Sequence, residues 1–461
     1  MPYRNIDTSF STLSALSPLD GRYRKALEEL SLFFSEEALM KYRVRVEIEY
    51  LIALSQETKI PEVKLLSSAR QRSLRMVYEK FDRAGAKKVK YYEKQTNHDV
   101  KAVEYYLRDV LQGKKLTILI PWLHFALTSE DINNLAYALM WQDALRFIYI
   151  PSLKRLNATL RNLAHDWAGN PLLSLTHGQP ATPTTIGKEV AVYVNRLKRQ
   201  TDQLETHKLW GKLGGATGTW SAHVTAFPKV NWPAFGKRFV SGLGLHYNPV
   251  TTQIESHDTL AESFHTVIRI NNILKDACRD IWLYISRGIL DQKKVAGEVG
   301  SSTMPHKINP IQFENAEGNL GLANAILNHL AETLQTSRLQ RDLSDSTVIR
   351  NQGIGLGYAH LAVVNMQQGL TRISVNVPVA EKELEQHWEV LAEAIQTLLR
   401  KNGTDEAYEV MKRFTRGKVM TEKTLNRFIT KLDLPDEDKQ ILLNLSPTDY
   451  TGLAEKLAKK V

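Results

Sequence analysis

Proline placement constrains this chain more than any other feature of its sequence. None of its 16 prolines falls between Pro183 and Pro228, between Pro249 and Pro305, or between Pro310 and Pro378. An interior proline costs a helix about 3 kcal/mol, so these gaps are where long helices can run. In the second gap, residues 258–287 carry Leu260, Phe264, Val267, Leu274, Cys278, Ile281 and Ile285 in steps of four and three, broken only at Asn271. That spacing is a coiled-coil-like seam, and at 1.5 Å per residue it predicts a helix of about 45 Å. Similar apolar faces recur at 186–206 and at 313–336, the latter through Phe313, Leu320, Ala323, Leu327, Leu330 and Leu334. The charge-free run 352–370 carries Gln352, His360, Asn365, Gln367 and Gln368, which predicts a buried helix and not a membrane span.

Residues 43–50 argue for a strand, because Val44, Val46, Ile48 and Tyr50 alternate with charges. The charges are themselves spaced as a helix would want them. Arg43 and Glu47, then Arg45 and Glu49, are four apart, each pair worth a few tenths of a kcal/mol to a helix, so helix is predicted.

A length of 461 residues at about 150 per domain suggests roughly three domains. Pro121 and Pro378 bracket the long-helix region. The expectation is an all-α chain with an N-terminal helical domain over 1–118, a central long-helix bundle over 119–370 and a C-terminal helical domain over 371–461. The single cysteine, Cys278, excludes an internal disulfide and a Cys-rich zinc site and points to a reducing compartment. The opening MPYRNIDTSF lacks the basic-then-apolar pattern of a signal peptide, so a cytoplasmic protein without membrane attachment is expected.

The net charge of +10 is local in origin: residues 70–115 hold 13 Lys or Arg against 6 Asp or Glu. Such a patch can bind nucleic acid, attract a small polyanion, or simply solubilise a helical face; the last is the commonest. With no RGG tract and no aromatic-rich RNA-binding motif, nucleic acid is not an expected partner.

The common catalytic motifs are missing: there is no HExxH, CxxC, Walker loop or strand-borne GxGxxG. Gly353, Gly355 and Gly357 sit inside a helical pattern and read as close helix packing. Two segments stand out. Gly297 to Pro310, GEVGSSTMPHKINP, joins two long helical patterns and reads as an active-site loop. Thr176 to Thr185, THGQPATPTT, cannot be helical, and Thr184 or Thr185 is suited to cap the helix that follows, which would set His177 on a loop beside a positive helix end. Further polar clusters lie at TNHD (96–99), TSEDINN (128–134), 253–257 and QRDLSDSTVIR (340–350).

The run GSSTMPHKINP resembles the GSSxMPxKxNP signature of the aspartase/fumarase superfamily, and TSED and THGQPATP resemble its two other shared segments, in the same order. SPLDGRY (17–23), TNHDVKAVEYYL (96–107), TTQIESHD (251–258) and SRLQRDLSDSTVIRN (337–351) resemble the adenylosuccinate lyase branch of that superfamily. The resemblance implies a homotetramer of three-domain helical subunits with shared active sites, and elimination of fumarate from adenylosuccinate and from the succinylcarboxamide ribotide of purine synthesis, without metal or other cofactor. It makes Ser301 the base, although chemistry alone would favour His306, since a free serine hydroxyl is far too weakly acidic. His306 occupies the variable position of MPxK, which argues against a required role for it. His177 matches the general acid, and His98 a second histidine that contacts substrate. Lys307 and Asn309 match the groups that hold the reacting carboxylate, and Thr128, Ser129 and Gln253 those that hold the succinyl and base portions. Arg22, Tyr23, Arg341, Ser346 and Arg350 match the phosphate set, a role suited to planar guanidinium forks. Asn97, Asp99, Ser302, Asn315 and Thr347 complete the substrate-binding set that the resemblance implies. Argininosuccinate lyase, which shares the loop, lacks such a phosphate clamp.

Overall fold

The structure, a computed structural model, describes residues 11–293, 297, 303, 304, 306–416 and 419–461. The proline gaps are filled by the helices Ile186–Thr206, Asp258–Ser286, Ile311–Leu334 and Gln352–Leu370. Among the described residues no helix is long and apolar enough to cross a membrane. Strands are few: the described residues form three two-stranded pairings, and helices are their principal regular structure. It divides into two compact units. The first comprises residues 1–153, 200–272 and 318–364, and the second 154–199, 273–317 and 365–461.

In the first unit, Leu260, Phe264 and Val267 of the seam are buried. The break at Asn271 is a paired polar position. Asn271 is buried, accepts from Tyr149 Oη at 3.4 Å and donates Nδ2 to Asn324 Oδ1 at 2.9 Å, while Asn324 Nδ2 donates to Asn272 Oδ1 at 2.9 Å. The glycines at 353 and 355 are contact points: a Cβ would meet Phe34 at 2.4 Å and Leu327 at 2.7 Å.

Residues 43–50 lie in the helix Glu36–Gln56, but not for the reason given by their spacing. This helix is buried nearly all round, so its charges pair with other elements and not along it. Arg43 reaches Asp99 at 2.7 Å and Asn133 at 2.9 Å, and Glu47 reaches His124 at 2.6 Å. Glu49 takes Arg75 at 2.8 Å, and Arg45 lies 3.5 Å from Asp143. Burial of both faces produces the alternation that imitates a strand.

In the second unit Leu274, Cys278 and Ile281 continue the buried seam. A further cluster gathers Leu384, Leu391, Ile395, Leu399, Leu425 and Ile429 toward the end of the chain. Pro171–Thr176 and Gln179–Thr185 form an antiparallel hairpin, where the sequence predicts only a non-helical loop. Pro180 and Pro183 hide the second strand, yet Pro180 still pairs, with Leu175. The register runs Leu172↔Thr184, then Ser174↔Ala181, so Pro183 falls in the resulting bulge, where no ladder N–H is required.

Candidate active site

His177 is the first residue of the two-residue turn that closes this hairpin. Thr176 pairs with Gln179, and His177 and Gly178 have φ of 55° and 73°. Two consecutive left-handed residues are the signature of a type I′ turn, which explains Gly178: glycine reaches positive φ without the penalty a Cβ carries. The helix start lies at the other end of the second strand, where Thr185 Oγ1 accepts from Lys188 N–H at 3.2 Å. The expectation that His177 sits beside a positive helix end is therefore corrected: a strand of seven residues separates them. His177 is held out, exposed, at a hairpin tip.

The second unit also carries the described end of the signature loop. Lys307 is exposed, with its N–H on Met304 O at 3.1 Å. The loop's exit is tied to the strand Leu290–Gln292, since Gln292 Nε2 donates to Ile308 O at 2.9 Å. Asn309 precedes Pro310 and the helix Ile311–Leu334, on which Asn315 Oδ1 accepts from Asn365 Nδ2 at 2.8 Å. His306 is exposed. Ser301 and Ser302 lie outside the described residues.

The remaining expected residues are in the first unit, where a polar network joins Thr128, Gln253, Arg341 and Ser346. TSED opens the helix Ser129–Ala144, with Thr128 at its N-cap and Thr128 N–H donating to Asp131 Oδ2 at 2.9 Å. Asp131 is fully buried against Lys212 at 2.7 Å, an ammonium equally buried that also donates to Gly215 O at 2.7 Å. The same carboxylate accepts the N–H groups of Gly214 at 2.9 Å and Gly215 at 3.1 Å. It thereby fixes a glycine turn whose next carbonyl, of Ala216, receives Gln253 Nε2 at 3.0 Å. Gln253 Oε1 in turn accepts from Arg341 Nη1 at 3.2 Å, and Arg341 Nη2 donates to Ser346 Oγ at 2.9 Å. Two buried acids flank Arg341: Asp345 at 3.5 Å and Glu130 at 3.7 Å. Ser346 and Thr347 are on the short helix Ser344–Ile349, and Arg350 follows it.

The TNHD segment is the junction of two helices. Asn97 ends Arg83–Thr96 with φ of 50°, and His98 caps Asp99–Gly113, its Nδ1 accepting Lys101 N–H at 3.2 Å. That bond leaves the proton of the neutral ring on Nε2, so a half-exposed His98 can donate outward. Asp99 faces guanidinium groups, Arg43 at 2.7 Å and Arg350 at 3.1 Å. Burial raises its pKa, but the Arg43 and Arg350 contacts more than offset this and hold the carboxyl at about 2. Asp99 is thus an anchor for Arg350. Arg22 lies over the Tyr23 ring at 5.9 Å and is exposed.

Sequence reasoning missed Arg43, Lys212, Glu130, Asp131 and Asp345. The last three lay inside motifs already singled out, and burial is what distinguishes them. Lys212 had a signal of its own, a lysine set in the apolar, glycine-rich run WGKLGG.

Residues 21–325 match the family profile described as Lyase, and residues 337–451 the one described as Adenylosuccinate lyase C-terminal. The adenylosuccinate lyase of Haemophilus influenzae is 48% identical over 452 residues, 98% of this chain and 99% of its own. That of Escherichia coli K12 is 47% identical over 445 residues, covering 96% and 98%. Among solved structures, a fumarate lyase from Mesorhizobium sp. BNC1 aligns with a TM-score of 0.74 at 16% identity over 94% of this chain and 96% of its own. The 3-carboxy-cis,cis-muconate lactonizing enzyme of Pseudomonas putida gives 0.70 at 20%, over 94% and 95%; these two likenesses establish the shared helical fold. With near-half identity from end to end, this chain belongs to the adenylosuccinate lyase family.

Proposed function

We propose that the chain cleaves adenylosuccinate to AMP and fumarate, and the succinylcarboxamide ribotide likewise, with its residues acting in the roles their motifs suggest. The arrangement around Arg341 carries this reading. A guanidinium is held by Gln253 and Ser346, with Arg350 one short helix away, and this suits a phosphorylated substrate better than a simple dicarboxylate.

The reaction removes a proton from the carbon beside a carboxylate and breaks the C–N bond of the adjacent carbon. The C–H electron pair becomes the new C=C bond, and the C–N pair leaves with the nitrogen. Ser301 takes the proton, and Lys307 and Asn309 stabilise the aci-carboxylate that forms. His177 protonates the departing nitrogen, a task suited to imidazole near neutral pH and to its place at a hairpin tip. His98 polarises the substrate through Nε2, and Thr128, Ser129 and Gln253 seat its succinyl and base portions. Base, acid and anion stabiliser together complete the elimination, which calls for no cofactor.

The site is assembled from several copies of the chain in a cytoplasmic homotetramer. Support comes from apolar side chains exposed on the long helices. Val192, Trp282, Leu283 and Ile311 in the second unit and Leu322 in the first are each at least 40% exposed, as expected of surfaces that meet another copy. The test is direct: purified protein, without added metal, should convert adenylosuccinate to AMP and fumarate. Cleavage of argininosuccinate with adenylosuccinate untouched would refute the assignment.

A further inference from the structure

Glu130 stands in an unusual place for a carboxylate. Its side chain is 6% exposed, and Oε2 is buried with no hydrogen-bond partner among the described residues. The group it faces, Arg341, has one nitrogen in the same position: its buried Nε has no hydrogen-bond partner among the described residues, and the nearest acids stand off at 3.5 Å (Asp345) and 3.7 Å (Glu130). Arg341 is therefore crowded by two carboxylates and properly bonded to neither, while Gln253 and Ser346 aim its other nitrogens. The charged groups acting on Glu130 are Arg341 and Asp345 from the 341–350 segment, Lys212 from the glycine turn and Arg43 from the helix Glu36–Gln56. Lys212 is committed to Asp131, and Arg43 to Asp99.

We infer that Glu130 is a positioning residue that takes up a proton when phosphate engages Arg341: as a carboxylate it holds the empty guanidinium in place, and as an acid it leaves that guanidinium's charge to the ligand. This rests on the reading of Arg341 as a phosphate ligand. An arriving phosphate brings nearly two negative charges to an arginine that already faces two acids, and one of those acids must be neutralised for the pairing to be favourable. Glu130 is suited to do so. Desolvation raises its pKa most, opposed by Arg341 and reinforced by Asp345, which leaves it at about 7. The proton comes from solvent and converts carboxylate to carboxylic acid; no other bond changes.

The experiment is calorimetric titration of the full-length protein with AMP at pH 7, in two buffers of different ionisation heat, for wild type and Glu130→Gln. Wild type should take up about half a proton per site more than the variant, because a group with pKa near the working pH starts half-protonated. Glu130→Gln, a neutral isostere of the bound state, should bind AMP at least as tightly and lose the extra proton. Equal uptake in both proteins overturns the inference, as does folded Glu130→Gln that no longer binds AMP. Should that variant fail to fold, difference infrared spectroscopy on wild type decides. AMP, but not adenosine, should increase the C=O stretch of a protonated carboxyl by about half a group per site, and the absence of any increase refutes the proposal. The underlying reading is judged separately: if wild type binds adenosine as well as AMP, or Arg341→Ala leaves AMP binding unchanged, then Arg341 does not read phosphate.

Discussion

Asp131→Asn should unfasten Gln253 without touching it. The substitution keeps the shape but removes the charge opposite Lys212, an ammonium with 0% exposure whose other partner is the Gly215 carbonyl at 2.7 Å. It also turns an amide NH2 toward backbone N–H groups that need an acceptor. Breaking a buried ion pair from one side costs about 3–5 kcal/mol, mostly for the charge left behind. Lys212→Met should be milder, about 1–3 kcal/mol, because the carboxylate keeps the N–H groups of Thr128, Gly214 and Gly215. The double variant should be less destabilised than the sum of the two, since it buries no orphan ammonium. Hydrogen exchange at the Gly214 and Gly215 amides reads the local opening free energy, and AMP affinity reads the consequence for Gln253. A loss under about 1 kcal/mol in Asp131→Asn, or strict additivity in the double variant, would refute the claim that this pair fastens the turn.

Other expectations follow from the same contacts. Arg350→Ala should weaken AMP roughly ten- to a hundred-fold, for one charge-assisted contact of about 1.5–3 kcal/mol, and leave adenosine unaffected; equal loss for both would remove Arg350 from phosphate recognition. Ser301→Ala and His177→Ala should each bind substrate and fail to turn it over, while unfolding and reassembling the two together should restore about a quarter of the sites, if each site draws the residues from different chains. No recovery in verified mixed oligomers would place both on one chain. His223, enclosed by Trp220 and Trp232, has its pKa lowered to about 4 chiefly by burial. The unfolded chain therefore binds the proton first as pH drops, and stability should fall between about pH 6.5 and 4, by up to roughly 3 kcal/mol. Denaturation midpoints in His223→Phe should lose that component of the pH dependence, and an unchanged dependence would assign it elsewhere.

Long helices were legible because their signal is repetitive: prolines kept out and apolar residues returning in steps of four and three. Residues 43–50 were legible in type but not in cause, since nothing local reveals that Arg43 and Glu47 turn to Asp99 and His124. The hairpin was hidden because Pro180 and Pro183 argue against a strand, and only pairing shows that a bulge accommodates Pro183. Motifs identified the groups that would meet a substrate, whose chemistry fixes residue type. The groups that position them, such as Lys212 and Arg43, act through burial and distance, and a linear pattern carries neither.

The amides of Asn271, Asn324 and Asn272 run from a fully buried position to the surface. The helices that carry them, Asp258–Ser286 and Ile311–Leu334, present apolar stripes so repetitive that sliding one past the other by seven residues would still match apolar to apolar. Such a slip moves the helix by about 10 Å and parts every one of these amides from its partner. The ladder thus works as a key among near-degenerate alignments. Its value lies less in the depth of the native minimum than in the competing minima it removes. Replacing Asn271 and Asn324 together with leucine should accordingly leave a chain that melts no lower but assembles into more than one alignment.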